Sequence, residues 1–281
     1  MELKTTTYRV EDRVAVLTLS RPDQRNAWNA DMNTEVRQLM ARAVRDQEVR
    51  VIVLTGAGES FCVGADMAAA AAGAATQPAT SDNDAEAFSG RMSAGFSTKF
   101  SYFPRVQKPV IAAINGACAG LGLVLALYCD IRFAASDARF STAFSRRGLV
   151  AEHGVGWLLP RIAGPSNAAD LLLSGRKFDG DEAARLGLVN RAVSPGDLMG
   201  EVMSYASDIA ANVSPRAMRE IKRQLWSGLE QELREAIDDA DTAMAESLAS
   251  EDFREGVAHF REKRQARFRG ITGDHIDPEE D

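Results

Sequence analysis

Two glycine-bearing turns, each closing a strand-like run, constrain this chain more than any other feature. Val51-Ile52-Val53-Leu54-Thr55-Gly56 is a β-branched run broken by glycine, and Cys62-Val63-Gly64-Ala65-Asp66 follows it. Pro109-Val110-Ile111-Ala112-Ala113-Ile114 leads in the same way into Asn115-Gly116-Ala117-Cys118-Ala119-Gly120-Leu121-Gly122. Each turn can expose backbone N–H groups, and two such turns can form an oxyanion hole. After the second, Leu121 to Tyr128 reads as a buried apolar helix with the positive end of its dipole at that site. Either segment alone also fits an ordinary glycine turn.

The rest of the chain is organised around these turns. Tyr8 to Leu19 reads as a pair of strands, and Asn29 or Asp31 as the cap of a helix to Asp46. Along that helix Met32, Val36, Leu39, Met40 and Ala43 repeat with the helical period. Ala68 to Gly90 is rich in Ala and punctuated by Gly, Pro and Ser, which suits a loop or frayed helix. Further short strands are expected at 109–114, 130–134 and around 149, alternating with helices as repeated β-β-α turns. Beyond Ala192 no strand is expected, and Glu201 to Phe268 is charge-rich and predicted helical.

At 281 residues and 45% hydrophobic, the chain can bury a full core as one large unit with a helical appendage. Its net charge of -7 argues against a nucleic-acid partner, which calls for a basic face. No apolar run reaches membrane-spanning length, and the N-terminus lacks the basic, apolar and small-residue order of a signal peptide. Three cysteines, two of them beside the turns, point to reduced, packed thiols in a cytoplasmic protein. No Cys or His spacing assembles a metal site.

In order along the sequence, the motifs resemble the crotonase superfamily, the enoyl-CoA hydratases and isomerases. Arg21-Pro22 with Asn26-Ala27-Trp28-Asn29 is similar to the family's R-P-x-x-x-N-A opening, and Phe61 to Asp66 to its F-x-x-G-A-D. Ile114-Asn115-Gly116, Gly120 to Leu127 and Cys129-Asp130-Ile131 resemble V-N-G-x-x-x-G-G-G…C-D-I, with Leu121 in place of the middle glycine. Leu173-Ser174-Gly175-Arg176, Ala183 to Asn190, Glu255-Gly256 and Phe260 to Phe268 continue the match, with Ala266 replacing a proline and leaving the last helix free to continue. The resemblance implies an α/β fold. A crotonase-like spiral of repeated β-β-α units with the acyl-CoA site would span 1–195, and a helical oligomerisation region and C-terminal tail 196–281. It also implies a homo-oligomer, a trimer or dimer of trimers, with acyl-coenzyme A as substrate and no separate cofactor or metal.

In that family the hole receives the oxygen of a thioester enolate, and donors aimed there favour the charged state over the neutral ground state. By position the donors are the N–H groups of Ala65 and Leu121. A side chain at 121 raises the question whether the backbone there needs glycine. Hydratases of the family hold water between two glutamates, but the matching positions are Val124 and Phe144. Neither carries a proton, so the ordinary hydratase mechanism lacks both groups.

Gly148-Leu149-Val150-Ala151-Glu152-His153-Gly154 resembles the G-L-x-x-E-G segment of peroxisomal-type Δ3,Δ2-enoyl-CoA isomerases. There one glutamate moves a proton from C2 to C4 of a 3-enoyl thioester. Glu152, flanked by apolar residues, is expected to be desolvated, with its carboxyl pKa raised to suit such a shuttle. Its other reading is a cap on the following helix. His153 is a rival, but neighbouring residues usually point apart, which favours a hydrogen bond in a turn or interface. Asp66 either orients its loop or touches the ligand.

For the coenzyme the resemblance implies Arg25, Ala27, Ala65 and Met67, with Phe260 and Lys263 from the last helix, often a neighbour's. The basic cluster of Arg254, Arg261, Lys263, Arg264, Arg267 and Arg269 suits an anion and equally a solvated face. Phe88, Met92, Phe96, Phe100, Tyr102, Phe103 and Phe144 are candidates for the acyl pocket or for plain core. Enoyl-CoA isomerisation through Glu152 is the favoured reaction. The alternatives are hydration with non-standard residues, dehydration, C–C cleavage, or a non-catalytic acyl-CoA-binding subunit.

Overall fold

The computed structural model describes residues 2–67, 88, 92 and 94–271. Strands β1 (Thr6–Glu11) and β2 (Val14–Leu19) form the expected antiparallel pair, with Asp12 and Arg13 turning at φ 48° and 65°. Strands β3 (Val51–Gly56), β5 (Val110–Ile114), β7 (Ile131–Ala135) and β9 (Arg191–Val193) continue the sheet in parallel, in the order β1-β2-β3-β5-β7-β9. A parallel strand covered on both faces has to be apolar throughout. Accordingly Val51 to Leu54 and Val110 to Ile114 are all buried.

A second sheet of very short parallel strands holds β4 (Ser60–Cys62), β6 (Ala117–Ala119) and β8 (Phe140–Ser141). Each turn of the chain lays one strand in the large sheet and the next in the small one. The turn through β5, β6 and helix α2 (Leu121–Leu127) is a complete β-β-α unit. This is the α/β spiral that the motifs imply. Helix α1 (Ala30–Arg45) is capped by Asn29, whose Oδ1 accepts from Met32 N at 2.9 Å, and not by Asp31.

The strand expected around 149 is absent. Leu149 folds back to donate its N–H to the Phe144 carbonyl at 3.0 Å, and the side chains of Leu149 and Val150 are exposed. An apolar run without a neighbouring strand to pair with has no ladder to join. Helices α3 (Val155–Ala163), α4 (Pro165–Ser174) and α5 (Gly180–Arg185) follow. Strand β9 reaches one residue past Ala192, where no strand was expected.

The last part is helical: α6 (Leu198–Asn212), α7 (Pro215–Ser227), α8 (Leu233–Ala249) and α9 (Glu251–Glu262). Helix α6 packs on β2, β3, β5 and β7, burying Val202, Ala206 and Ala210. Asp130, from the Cys-Asp-Ile motif, ties α7 to this sheet: it accepts from Val110 N (2.7 Å), Lys222 Nζ (2.7 Å) and Trp226 Nε1 (2.9 Å). Helix α9 stops at Glu262 and does not run on to 268, despite Ala266. Lys263 turns left-handed at φ 52°, and Glu255 takes two bonds from the Arg264 guanidinium and one from Arg267 N. Residues 264–271 then return to the N-terminal ends of the strands, where Arg50 donates to the carbonyls of Ala210 and Phe268. Among the described residues no helix is long and apolar enough to cross a membrane.

Candidate active site

The two turns meet. Trp28 bridges Ala65 in parallel, its N–H donating to the Gly64 carbonyl and its carbonyl accepting from Asp66 N, both within 2.9 Å. That pattern uses the residues on either side of Ala65 and directs the Ala65 N–H away from Trp28. Leu121 begins α2, so its N–H is one of the first four without an intrahelical partner. Neither N–H donates a hydrogen bond to any described residue. A Cβ on Gly64 would stand 3.6 Å from Leu121 N, so the two loops are in contact.

Glycine is needed beside Leu121, not at 121. Gly120 sits at φ 51° and ψ -120°, outside the range of residues with a side chain, whereas Leu121 is ordinary helix. A Cβ on Gly122 would lie 2.1 Å from the Cys62 carbonyl, so α2 is pressed directly against β4. The Leu121 side chain is buried, and its presence leaves the N–H in place.

The opening motif is a clamp on this geometry. Arg21 Nη2 pairs with Asp66 Oδ2 at 2.9 Å, while its Nη1 donates to the Ala27 carbonyl at 2.5 Å. Asp66 therefore orients the loop through Arg21. Buried Asn26 accepts from Arg21 N and donates to the carbonyls of Ala57 and Ser60. Asn115 braces the facing turn, accepting from Gly56 N and donating to the Gly58 carbonyl.

Val124 and Phe144, the positions of the two hydratase glutamates, are both buried. A ladder of rings connects Ala65 to Glu152: Trp28 lies 5.2 Å from Phe100, and Phe100 lies 5.0 Å from the His153 ring. Glu152 Oε2 is 3.6 Å from His153 Nε2. The desolvation expected of Glu152 is not found, because its side chain is 44% exposed. Its apolar sequence neighbours Leu149 and Val150 face outward and do not surround it. Nor does its carboxylate cap α3; only the Glu152 carbonyl takes part, accepting from Val155 N.

Lys99 and His153 both interact electrostatically with Glu152. Burial lowers the pKa of Lys99, against the opposing pull of Glu152. Burial likewise lowers that of His153, with Glu152 raising it and Lys99 lowering it. Nothing in the sequence marks Lys99, since the fold alone carries it to Glu152. Trp28 is buried with its Nε1–H unpartnered among the described residues.

The aromatic candidates divide. Phe88, Tyr102 and Phe103 pack together beneath the Arg37 guanidinium, and Phe96 lies on Trp226. These belong to the core, and partly buried Met92 packs against it. Phe100 and Phe144 are buried in the same core, Phe100 between the rings of Trp28 and His153. The tract from Ala68 to Gly90 lies outside the described residues, apart from Phe88.

Of the coenzyme candidates, Arg25, Ala27, Ala65 and Met67 come together. The exposed Arg25 offers its carbonyl to Val63 N at 3.3 Å, and Met67 is exposed beside Asp66. Among the described residues Phe260 and Lys263 make no hydrogen bond, ion pair or ring contact with them. Helix α9 packs against α8 and leaves Phe260 80% exposed. Several of the neighbouring cations are paired locally, Arg264 with Glu255 and Arg269 with Glu251. Cys62, Cys118 and Cys129 are free and buried, and burial pushes the Cys62 and Cys129 thiols up to about 12.

A family model described as enoyl-CoA hydratase/isomerase matches residues 9–271. The chain belongs to this family, within the crotonase superfamily. It is 33% identical over 267 residues to a short-chain-enoyl-CoA hydratase of Clostridium acetobutylicum, covering 94% of this chain and 97% of that protein. A 1,2-epoxyphenylacetyl-CoA isomerase of Escherichia coli is also 33% identical, with 93% and 97% covered. The solved enoyl-CoA hydratase of Bacillus anthracis superposes with a TM-score of 0.83 at 28% identity, with 95% of this chain and all of that one covered (100%). The protein is thus an acyl-CoA-processing enzyme of the hydratase/isomerase family.

Proposed function

We propose that the chain is an enoyl-CoA isomerase with Glu152 as its single acid and base and the N–H groups of Ala65 and Leu121 as its oxyanion hole. The observation that supports this reading is that the Ala65 and Leu121 N–H groups have no partner among the described residues, while Val124 and Phe144 cannot handle a proton. Hydration needs both an activated water and a proton donor, whereas double-bond migration needs one group that takes a proton and returns it. Glu152, linked to the hole through Trp28, Phe100 and His153, is the carboxylate available for that task. The shuttle calls for no cofactor or metal beyond the acyl-CoA that is its substrate.

Arg25, Ala27, Ala65, Asp66 and Met67 form the coenzyme side of the site, with Phe144 on the acyl side. Phe260 and Lys263 would be supplied by a second copy in a trimer or dimer of trimers. The 80% exposure of Phe260 supports this, as do the exposed apolar residues Ile221, Leu225, Leu233, Met244 and Leu248 on the last helices. Three buried, unpaired thiols suit the cytoplasm. The rival reading is hydration, supported by the hydratase names among the relatives.

A paired assay separates these readings. Purified wild type and Glu152→Gln are each given a 3-enoyl-CoA and a 2-enoyl-CoA. Isomerisation lost in the variant is the expected result; hydration of the 2-enoyl-CoA by wild type without isomerisation would sink the proposal. Binding of acyl-CoA without turnover of either would identify a binding subunit. A monomeric mass in solution would remove the case for residues shared between copies.

A further inference from the structure

The short 3₁₀ turn Ser145–Arg147, which follows Phe144, carries two adjacent arginines with different fates. Its backbone is fixed: Arg147 N donates to the Phe144 carbonyl at 2.9 Å, and Gly148 closes the turn in the left-handed region at φ 68°. Arg146 is used structurally, its Nε donating to the Ser174 carbonyl at 2.8 Å and its Cγ lying beside Gly175. Arg147 is exposed, and its guanidinium makes no hydrogen bond or ion pair among the described residues. Yet it folds back on the turns: Nη1 is 4.0 Å from the place a Gly120 Cβ would occupy, and that place is 3.8 Å from the Gly64 Cα. The guanidinium therefore stands where the two turns meet. Through the Gly120 peptide, Nη1 is within about 8 Å of the Leu121 N–H. Val124 and Phe144 occupy the positions of the hydratase glutamates, so neither supplies a carboxylate to neutralise this cation. An arginine fork matches a carboxylate with two parallel hydrogen bonds.

We infer that Arg147 selects an acyl group bearing its own carboxylate, pairing with it while the thioester oxygen sits between the Ala65 and Leu121 N–H groups. This deepens the proposed function and rests on that oxyanion hole. The substrate class is then a short enoyl thioester of a dicarboxylic acid. Its length follows from reach: an acyl chain of about six carbons, at ~1.2 Å per bond, spans the interval once its terminal oxygens are added. The coenzyme's nearest phosphate lies about a dozen bonds beyond the sulfur, on the order of 15 Å extended, so the acyl end is the closer source of an anion. A site that pairs with a charge also rejects the uncharged analogue more strongly than an apolar pocket rejects an extra methylene. Arg147 makes and breaks no covalent bond; it is a specificity-determining residue. Because its guanidinium is exposed, the pairing is screened by salt.

The test compares two 3-enoyl-CoAs of equal chain length, one ending in a carboxylate and one in a methyl group, on wild type and Arg147→Gln. Wild type should favour the carboxylated thioester. The ratio of the two kcat/KM values should fall by roughly tenfold in the variant, the loss of one exposed charge-assisted pair. Added salt should shrink the wild-type ratio toward that of the variant. Equal kcat/KM values in wild type, or a ratio unchanged by Arg147→Gln, would overturn the inference. An equal loss on both coenzyme A thioesters that disappears on the matching N-acetylcysteamine thioesters, which carry no phosphate, would overturn it too and assign Arg147 to a coenzyme phosphate. Calorimetric binding of the saturated thioesters, which cannot isomerise, separates this inference from the isomerase reading. Tighter binding of the carboxylated one, lost in Arg147→Gln, in an enzyme that turns over no 3-enoyl-CoA would remove the isomerase and leave this assignment standing; isomerisation with no preference in binding or rate would do the reverse. Should Arg147→Gln not fold, Arg147→Lys replaces it, keeping the charge but losing the fork, and should lower the ratio by a smaller factor; an unchanged ratio would again count against Arg147.

Discussion

If Leu121 N–H is one of the two proposed oxyanion donors, replacing Leu121 by proline deletes that donor and little else. Leu121 opens α2, the helical position where proline's fixed φ is accommodated and its missing N–H is not used by the helix. The first helical bond, Val124 N to the Gly120 carbonyl at 3.0 Å, remains. Proline excludes the right-handed helical region for the residue before it, and Gly120 at φ 51° and ψ -120° is already elsewhere. The buried side chain loses about one methylene, on the order of 1 kcal/mol of stability. The lost donor should lower kcat by about 10²–10³, or ~3–4 kcal/mol of transition-state stabilisation. KM should change by less than about threefold, because the charge the donor serves is absent from the ground state. Leu121→Ala provides the control: it keeps the N–H, gives up on the order of 3 kcal/mol of packing, and should hold kcat within about fivefold. Steady-state kinetics on a 3-enoyl-CoA and thermal unfolding of both variants read this out. A folded Leu121→Pro enzyme with near wild-type kcat would remove Leu121 from the hole, and equal losses in the two variants would show a packing effect.

Three other outcomes follow from the geometry. Asp130→Ala should strip the buried Lys222 ammonium of its carboxylate and destabilise by about 3–5 kcal/mol, whereas Lys222→Met should do less harm because Asp130 keeps Val110 N and Trp226 Nε1; equal urea midpoints for the two variants would contradict this. Burial alone would raise the Glu35 pKa, but the bonds it accepts from Lys4, Thr6 and Thr5 lower it on balance. Its stabilising contribution is then present above the ordinary carboxyl range and lost as pH falls through the depressed value, so Glu35→Gln should narrow the stability gap between neutral and acid pH; an unchanged gap would count against it. Phe260→Asp, at an exposed position, should leave the melting temperature alone and raise KM for acyl-CoA; an unchanged KM would remove Phe260 from the coenzyme site.

How much was legible depended on whether a signal was local. The strands at 51–56 and 110–114 are continuous apolar runs, and α1 carries both its period and its Asn29 cap, so the residues themselves mark these elements. The small sheet has strands of two or three residues, too short for any period to show, and only the glycine corners hint at it. Leu149 and Val150 look like strand because composition does not reveal that no partner lies alongside. Asp66 binding Arg21 and Lys99 approaching Glu152 are tertiary facts joining distant segments. The glycine requirement was legible in kind but misplaced: it belongs to Gly120 and spares Leu121.

The small sheet also acts as a ruler. Its neighbouring strands β4 and β6 deliver the two amides just beyond their C-terminal ends. Parallel neighbours run about 4.8 Å apart, and one oxygen placed ~2.9 Å from each of two nitrogens at that separation subtends about 112°, near the tetrahedral angle. For the proposed anion seat, strand pairing then sets the spacing from which the two turns depart, more than side-chain identity does. Exchanging the surrounding side chains can therefore alter which thioester enters while the seat for its oxygen keeps its gauge, whereas slipping β4 against β6 by one residue would erase it.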